Sequence, residues 1–179
     1  MKPERLSRIA VYESPWGNLY LDTVKFPNGL VIEKYHLLDF PRAAVATIVE
    51  NNLGSVVFAR ICRYPTGLTE WELPAGRVEA GETEIGAALR EVLEETGYGS
   101  ENHRLIYSYY PMNGSANKVF HVVHCKAIEH IQEFDQNEVS ETRWFTKDEV
   151  KQMIKDKAIT DGFSLTALLL WLQDESCVP

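Results

Sequence analysis

The spacing of apolar and polar positions changes period three times along the chain. Residues 8–12, 18–25 and 30–37 are short β-prone runs, broken by Ser14-Pro15-Trp16-Gly17 and Pro27-Asn28-Gly29. Asn28-Gly29 is a hairpin signal, since both residues tolerate the positive φ that a tight hairpin turn demands. Longer apolar runs at 42–49 and 55–62 flank the turn Asn51-Asn52-Leu53-Gly54 and predict two further strands. From 83 to 96 the period becomes helical: Ile85, Ala88, Leu89 and Val92 form one stripe, with no proline and one interior glycine, Gly86. Thr83 suits the N-cap of this helix, and Gly97 sits where a left-handed residue would end it. Strand patterns return at 104–110, 119–125 and 139–145. Helical ones follow at 146–154 and 163–172, the last capped by Thr160 or Asp161.

Strands and helices in this mixed order predict an α+β fold, with helices on both sides of a mixed sheet. The first 38 residues carry little apolar mass and predict a small antiparallel β lobe, leaving 39–179 as the main domain. A chain of 179 residues can bury a real core, and 45% hydrophobic with 25% charged residues is ordinary for a soluble protein. Net charge is −8 with no Lys/Arg cluster, which argues against a nucleic-acid partner. The apolar stretch at 165–172 is too short to span a bilayer, and MKPERLSRIA has no apolar signal core. A cytoplasmic protein is expected. Cys62, Cys125 and Cys177 are odd in number and widely spaced, so free thiols are expected rather than disulfides or a zinc site.

The candidate chemistry lies in GRVEAGETEIGAALREVLEETGY. Gly76, Glu82, Arg90, Glu91, Glu94, Glu95 and Gly97 stand at the spacing G-x5-E-x7-R-E-U-x-E-E-x-G-U. Glu91 and Glu95 are four apart, so their carboxylates project from one helix face and destabilise it unless neutralised. Arg90 can reach Glu94, which leaves Glu91 and Glu95 uncompensated. A hard divalent cation would satisfy them and would bridge a diphosphate. The plainer alternative is a solvated acidic helix face.

These residues, with Val92 and Tyr98 at the bulky positions, resemble the Nudix box; Tyr98 is aromatic where an aliphatic residue is commoner. Glu72-Leu73-Pro74-Ala75-Gly76 is similar to the turn that leads into that box. The resemblance implies a hydrolase of diphosphates linked to another group, using Mg²⁺, with Mn²⁺ able to substitute. It implies metal ligation by Glu91, Glu95 and the Ala75 carbonyl, with Glu82 bracing the loop against Arg90. The N-terminal lobe and ARICRYPTGLTEWELPAGRVEAGE resemble the ADP-ribose pyrophosphatase branch. That branch implies a homodimer and a nucleotide-sugar substrate, ADP-ribose first, cut to AMP and ribose 5-phosphate. GDP-mannose or another nucleotide sugar, a damaged nucleoside triphosphate, and a non-catalytic nucleotide sensor are the alternatives.

Substrate contacts follow from the same likeness. Arg63 is implied to touch phosphate, against a plain surface ion pair, and Glu72 to line the substrate side. Trp16 would stack on the base or be buried in the lobe. The loop YYPMNGSANK places Pro111 slightly early, with Asn117 and Lys118 where an acidic residue is expected, a departure that bears on the substrate. Glu138 is implied as general base, with Glu133, Asp135 and Glu141 as competitors. His121 and His124, three apart on a strand, face opposite sides and form no ligand pair.

Overall fold

The computed structural model describes residues 1–173, so Cys177 lies outside the described residues. Its strands are β1 (Glu4–Tyr12), β2 (Asn18–Lys25), β3 (Val31–Asp39), β4 (Ala44–Glu50), β5 (Val56–Arg63), β6 (Leu68–Glu72), β7 (Ala75–Arg77), β8 (Tyr98–Tyr109), β9 (Phe120–His130) and β10 (Val139–Phe145). Its helices are α1 (Glu84–Thr96), α2 (Lys147–Lys155) and α3 (Gly162–Gln173).

Met1–Ala43 and Tyr109–Val119 form one compact unit. Its sheet runs β1-β2-β3, antiparallel throughout. Asp22 is buried, and Arg8 holds it with two bonds of 2.8 Å while covering the Tyr20 ring at 4.2 Å. The loop that departs from the family pattern is tied down inside this unit. Asn117 accepts from the Phe40 amide (2.7 Å) and donates to Asp39 (2.6 Å), and Lys118 donates to the Arg42 carbonyl (2.8 Å). Trp16 is not packed into a core here: its side chain is 69% exposed. The reason is local, since Ser14 Oγ accepts from the Trp16 and Gly17 amides and folds the chain into a tight turn that points the ring outward.

The second unit, Ala44–Ser108 with Phe120 onward, carries the seven-stranded sheet. Its order is β10-β5-β4-β9-β8, with β6 beside β5 and β7 beside β4. β4 and β9 are parallel, whereas β4 with β5, β4 with β7, β5 with β6 and β5 with β10 are antiparallel. Every residue of β4 is buried, as expected of a central strand covered on both faces. On one face Val45, Val49, Val123 and Cys125 meet Ala87, Ala88 and Val92 of α1. Phe120, of opposite parity to Val123, stacks on Phe163 of α3 at 4.0 Å, so α3 covers the other face. The α+β sandwich predicted from the pattern is the one observed.

Several elements differ in extent from the sequence expectation. β8 begins at Tyr98, directly after Gly97, rather than near 104. Gly99, two residues past the helix end, is a strand residue without a side chain because Ile128 and Ile131 fill the space. β6 and β7 were not expected at all; each is short, and Pro74 interrupts the run between them. Asp161, not Thr160, caps α3, accepting from the Ser164 amide at 2.7 Å. Cys125 is a buried free thiol, and burial pushes it up to about 12; Cys62 is free and exposed.

Candidate active site

Helix α1 forms where the pattern places it. Thr83 Oγ1 accepts from the Gly86 amide at 3.0 Å, and Gly97 takes a left-handed backbone (φ 74°) while its amide returns to the Leu93 carbonyl. Of the expected stripe, Ala88 and Val92 turn inward and Ile85 packs beside them, whereas Leu89 is exposed and Ala87 is buried instead; the same rotation buries Glu91 and Glu95. Two acids are therefore carried under the sheet by the helix that the core requires.

Arg90 organises the polar side of this helix. It grips Glu82 through Nε (3.1 Å) and Nη2 (3.0 Å), donates Nη2 to the Arg77 carbonyl (2.9 Å), and reaches Glu94 through Nη1 (3.1 Å). It also donates Nη1 to Glu91 at 2.6 Å. Glu91 is thus partly compensated, contrary to the expectation that Arg90 would serve Glu94 alone. Helix neighbours do not normally face each other, but a long guanidinium turned toward the loop spans the gap. The Arg90 guanidinium holds the Glu82 carboxyl below the usual carboxylate range, helped by the Glu79 amide.

Glu95 is different. It is 2% exposed, and Oε2 accepts from the Ala75 amide at 2.9 Å. Burial pushes its carboxyl up to about 8, the Ala75 amide opposes that, and the nearby Glu91 charge adds to it. Burial also raises Glu91, against the pull of Arg90. The charge of Glu138 raises both groups further, although Glu138 is itself exposed.

The approach turn brings main chain against these acids. β7 pairs with β4, the Thr47 amide donates to the Pro74 carbonyl at 2.8 Å, and Gly76 lies so near Glu91 that a Cβ there would stand 1.9 Å from Oε1. Glycine at 76 is therefore a space requirement: the Glu91 carboxylate occupies the volume a side chain would need.

Two buried carboxylates, both raised first by burial, lie beside the turn of Ala75 and Gly76. That donor set consists of hard oxygens carrying excess negative charge, and it fits a hard divalent cation. Among the described residues no three His, Cys, Asp or Glu converge to hold a metal by themselves. Two carboxylates and a carbonyl match the ion that keeps several waters and takes its other ligands from a phosphate.

Because the folded-state value of Glu95 lies above its unfolded one, the folded protein keeps a proton that the unfolded chain loses between about pH 4.5 and about 8. Its contribution to stability is full below that window and falls as pH rises through it. Metal-free protein is therefore destabilised with rising pH relative to Glu95→Gln, by an amount on the order of a few kcal/mol across the window, and its melting temperature falls accordingly. Thermal melts of both proteins from pH 5 to 8 check this; parallel curves would contradict it.

Arg63 and Glu72 are brought together. Arg63 donates Nε (3.1 and 3.0 Å) and Nη2 (2.6 Å) to the Glu72 carboxylate, which is 3% exposed. Burial pushes Glu72 up against the pull of Arg63. Arg63 remains half-exposed with its other terminal nitrogen outside this fork, so the ion pair orients the guanidinium without enclosing it. Among the competitors of Glu138, Asp135 uses its side chain on Asn137 (2.8 and 2.9 Å), and Glu141 faces Arg60 (3.4 Å). Glu138 and Val139 donate their amides to the Asp135 carbonyl, and the Asp135 amide binds the Glu94 carbonyl at 2.7 Å. His124 is a residue the sequence reading left without a role; it and Lys126 (3.0 Å) bond Glu50, with His124 Nε2 at 2.9 Å.

Residues 40–165 match the family model of the NUDIX domain. The chain belongs to the NUDIX domain family, and it is a hydrolase acting on pyrophosphate bonds. It is similar to an ADP-ribose pyrophosphatase of Bacillus subtilis (strain 168), at 26% identity over 94% of this chain and 91% of that one. A methanol dehydrogenase activator of Bacillus methanolicus is 33% identical over 84% of this chain and 82% of its own. A solved ADP compounds hydrolase superposes with a TM-score of 0.85 over 99% of this chain and 98% of that chain, at 20% identity, and shares the fold.

Proposed function

We propose that the protein hydrolyses the pyrophosphate bond of a nucleoside diphosphate sugar, ADP-ribose first, with Mg²⁺ held by Glu91, Glu95 and the Ala75 carbonyl. The observation that carries the reading is the buried Glu91–Glu95 pair closed against the Ala75 turn. When bound, the ion supplies positive charge that screens the diphosphate and makes phosphorus easier to attack. Glu138 takes the proton of the attacking water, in keeping with its exposure and with its charge being felt at both buried acids. As water oxygen bonds to one phosphorus, the bridging P–O bond breaks, and ADP-ribose gives AMP and ribose 5-phosphate. Arg63, aimed by Glu72, binds a phosphate oxygen. Trp16, exposed on its turn, is available to stack on a base.

The choice of ADP-ribose rests on a match to the Bacillus subtilis pyrophosphatase that extends over both chains almost end to end. The Asn117 loop favours a second reading, another nucleotide sugar such as GDP-mannose, because its departure from pattern is built into hydrogen bonds. A homodimer belongs to the same proposal: all nine residues of β1 are exposed, with Leu6, Ile9 and Val11 among them. A product-resolved screen of nucleotide sugars with Mg²⁺ or Mn²⁺, run beside light scattering, is expected to show ADP-ribose cleaved by a species of twice the chain mass. No cleavage of any nucleotide sugar would end the enzymatic proposal, and a monomer would end the dimeric one.

A further inference from the structure

On the reading that Ala75, Glu91 and Glu95 share a divalent cation, we infer that Ser164 on α3 is a positioning residue of that site. Its hydroxyl fixes the backbone that presents the Ala75 carbonyl. β6 ends at Glu72, so the Leu73 amide leaves the strand ladder at a fully buried position. Leu73 and Ser164 are both 0% exposed, and the Leu73 amide donates to Ser164 Oγ at 2.9 Å across 91 positions. Pro74 has no amide hydrogen, and its carbonyl accepts from the Thr47 amide at 2.8 Å. The Ala75 amide donates to Glu95 at 2.9 Å. These three contacts account for the Leu73 amide, the Pro74 carbonyl and the Ala75 amide. One comes from the main chain and one from an acid of the metal site. Ser164 is the side chain that holds the turn without belonging to the chemistry.

The serine is itself held. Asp161 Oδ2 caps the Ser164 amide at 2.7 Å, and Thr160 Oγ1 donates to Glu70 at 2.8 and 2.6 Å, so the first turn of α3 is bolted to β6 and to its continuation. Because peptides are planar, a Leu73 amide that swings free rotates the Glu72–Leu73 plane just where the chain enters Pro74, whose ring fixes φ, and the rotation passes down the turn to the Ala75 carbonyl. Partners behind metal ligands typically contribute about ten- to a hundredfold to metal affinity.

The test is Mn²⁺ binding without substrate, by electron paramagnetic resonance, on wild type, Ser164→Ala, Ser164→Thr, Leu168→Ala and Glu95→Gln. Ser164→Ala is expected to weaken binding by about tenfold, and Ser164→Thr, which keeps the hydroxyl, to recover most of it. Leu168, fully buried on the same helix, reports on α3 packing alone; its truncation should lower the melting temperature and leave Mn²⁺ affinity unchanged. Should Ser164→Ala not fold, Ser164→Cys carries the same test, since it keeps the volume and offers only a weak acceptor. Wild-type Mn²⁺ affinity in the alanine or cysteine variant, with binding lost in Glu95→Gln, overturns the inference and spares the metal site. Unchanged binding in Glu95→Gln overturns both.

Discussion

Glu95→Gln is expected to lower turnover by about a thousandfold or more, while raising the melting temperature of the metal-free protein at pH 8. Both effects come from one charge. Glutamine keeps the volume and an oxygen that still accepts from the Ala75 amide, so the turn survives the exchange. What is lost is a carboxylate 2% exposed, beside a second acid, whose proton is retained up to about pH 8. Without a cation that charge costs stability; with one it is what binds the ion and screens the diphosphate. Steady-state kinetics on the best-cleaved nucleotide sugar and thermal melts with a chelator measure the two halves. Turnover near the wild-type rate would remove Glu95 from the metal site, and a lower melting temperature at pH 8 would contradict the account of its burial.

Gly76→Ala should be nearly as damaging to activity while leaving the fold close to wild type. The new methyl group would stand 1.9 Å from Oε1 and 2.1 Å from Cδ of Glu91, so one of the two must move. The obstacle is the end of a flexible side chain and not main chain, and β7 can keep its pairing with Val45. Glu91 is the part that yields, leaving the Arg90 guanidinium and the cation site together. A loss of about a hundredfold or more in kcat is expected, with the melting temperature within a few degrees of wild type. Retention of activity within about threefold would mean that Glu91 reaches the metal from another rotamer.

The parts of this protein legible in its sequence are those fixed by short-range geometry. Thr83 and Gly97 mark the ends of α1 because capping is decided within one turn, and the Glu91–Glu95 spacing follows from helix pitch. The α+β sandwich follows from the order of periods. Contacts that cross the chain were not legible. Nothing near Ser164 announces that its hydroxyl serves Leu73, and nothing near Glu50 announces His124, 74 positions away. Trp16 was weighed by residue type, which favours burial, whereas the Ser14 hydrogen bonds decide its direction. β6 and β7 escaped because short strands carry few alternations, and the proline between them reads as a break when it is a bend from one strand pairing to another.

The bond from the Asp135 amide to the Glu94 carbonyl has a wider consequence. A helix leaves its last carbonyls without partners, and here one of them is answered by the loop that carries Glu138. The proposed base and the buried acids thus hang from a single helix end. Opening of that loop and fraying of that helix become one event, and substitutions in the surrounding strands can retune substrate preference while the reacting groups keep their mutual distance.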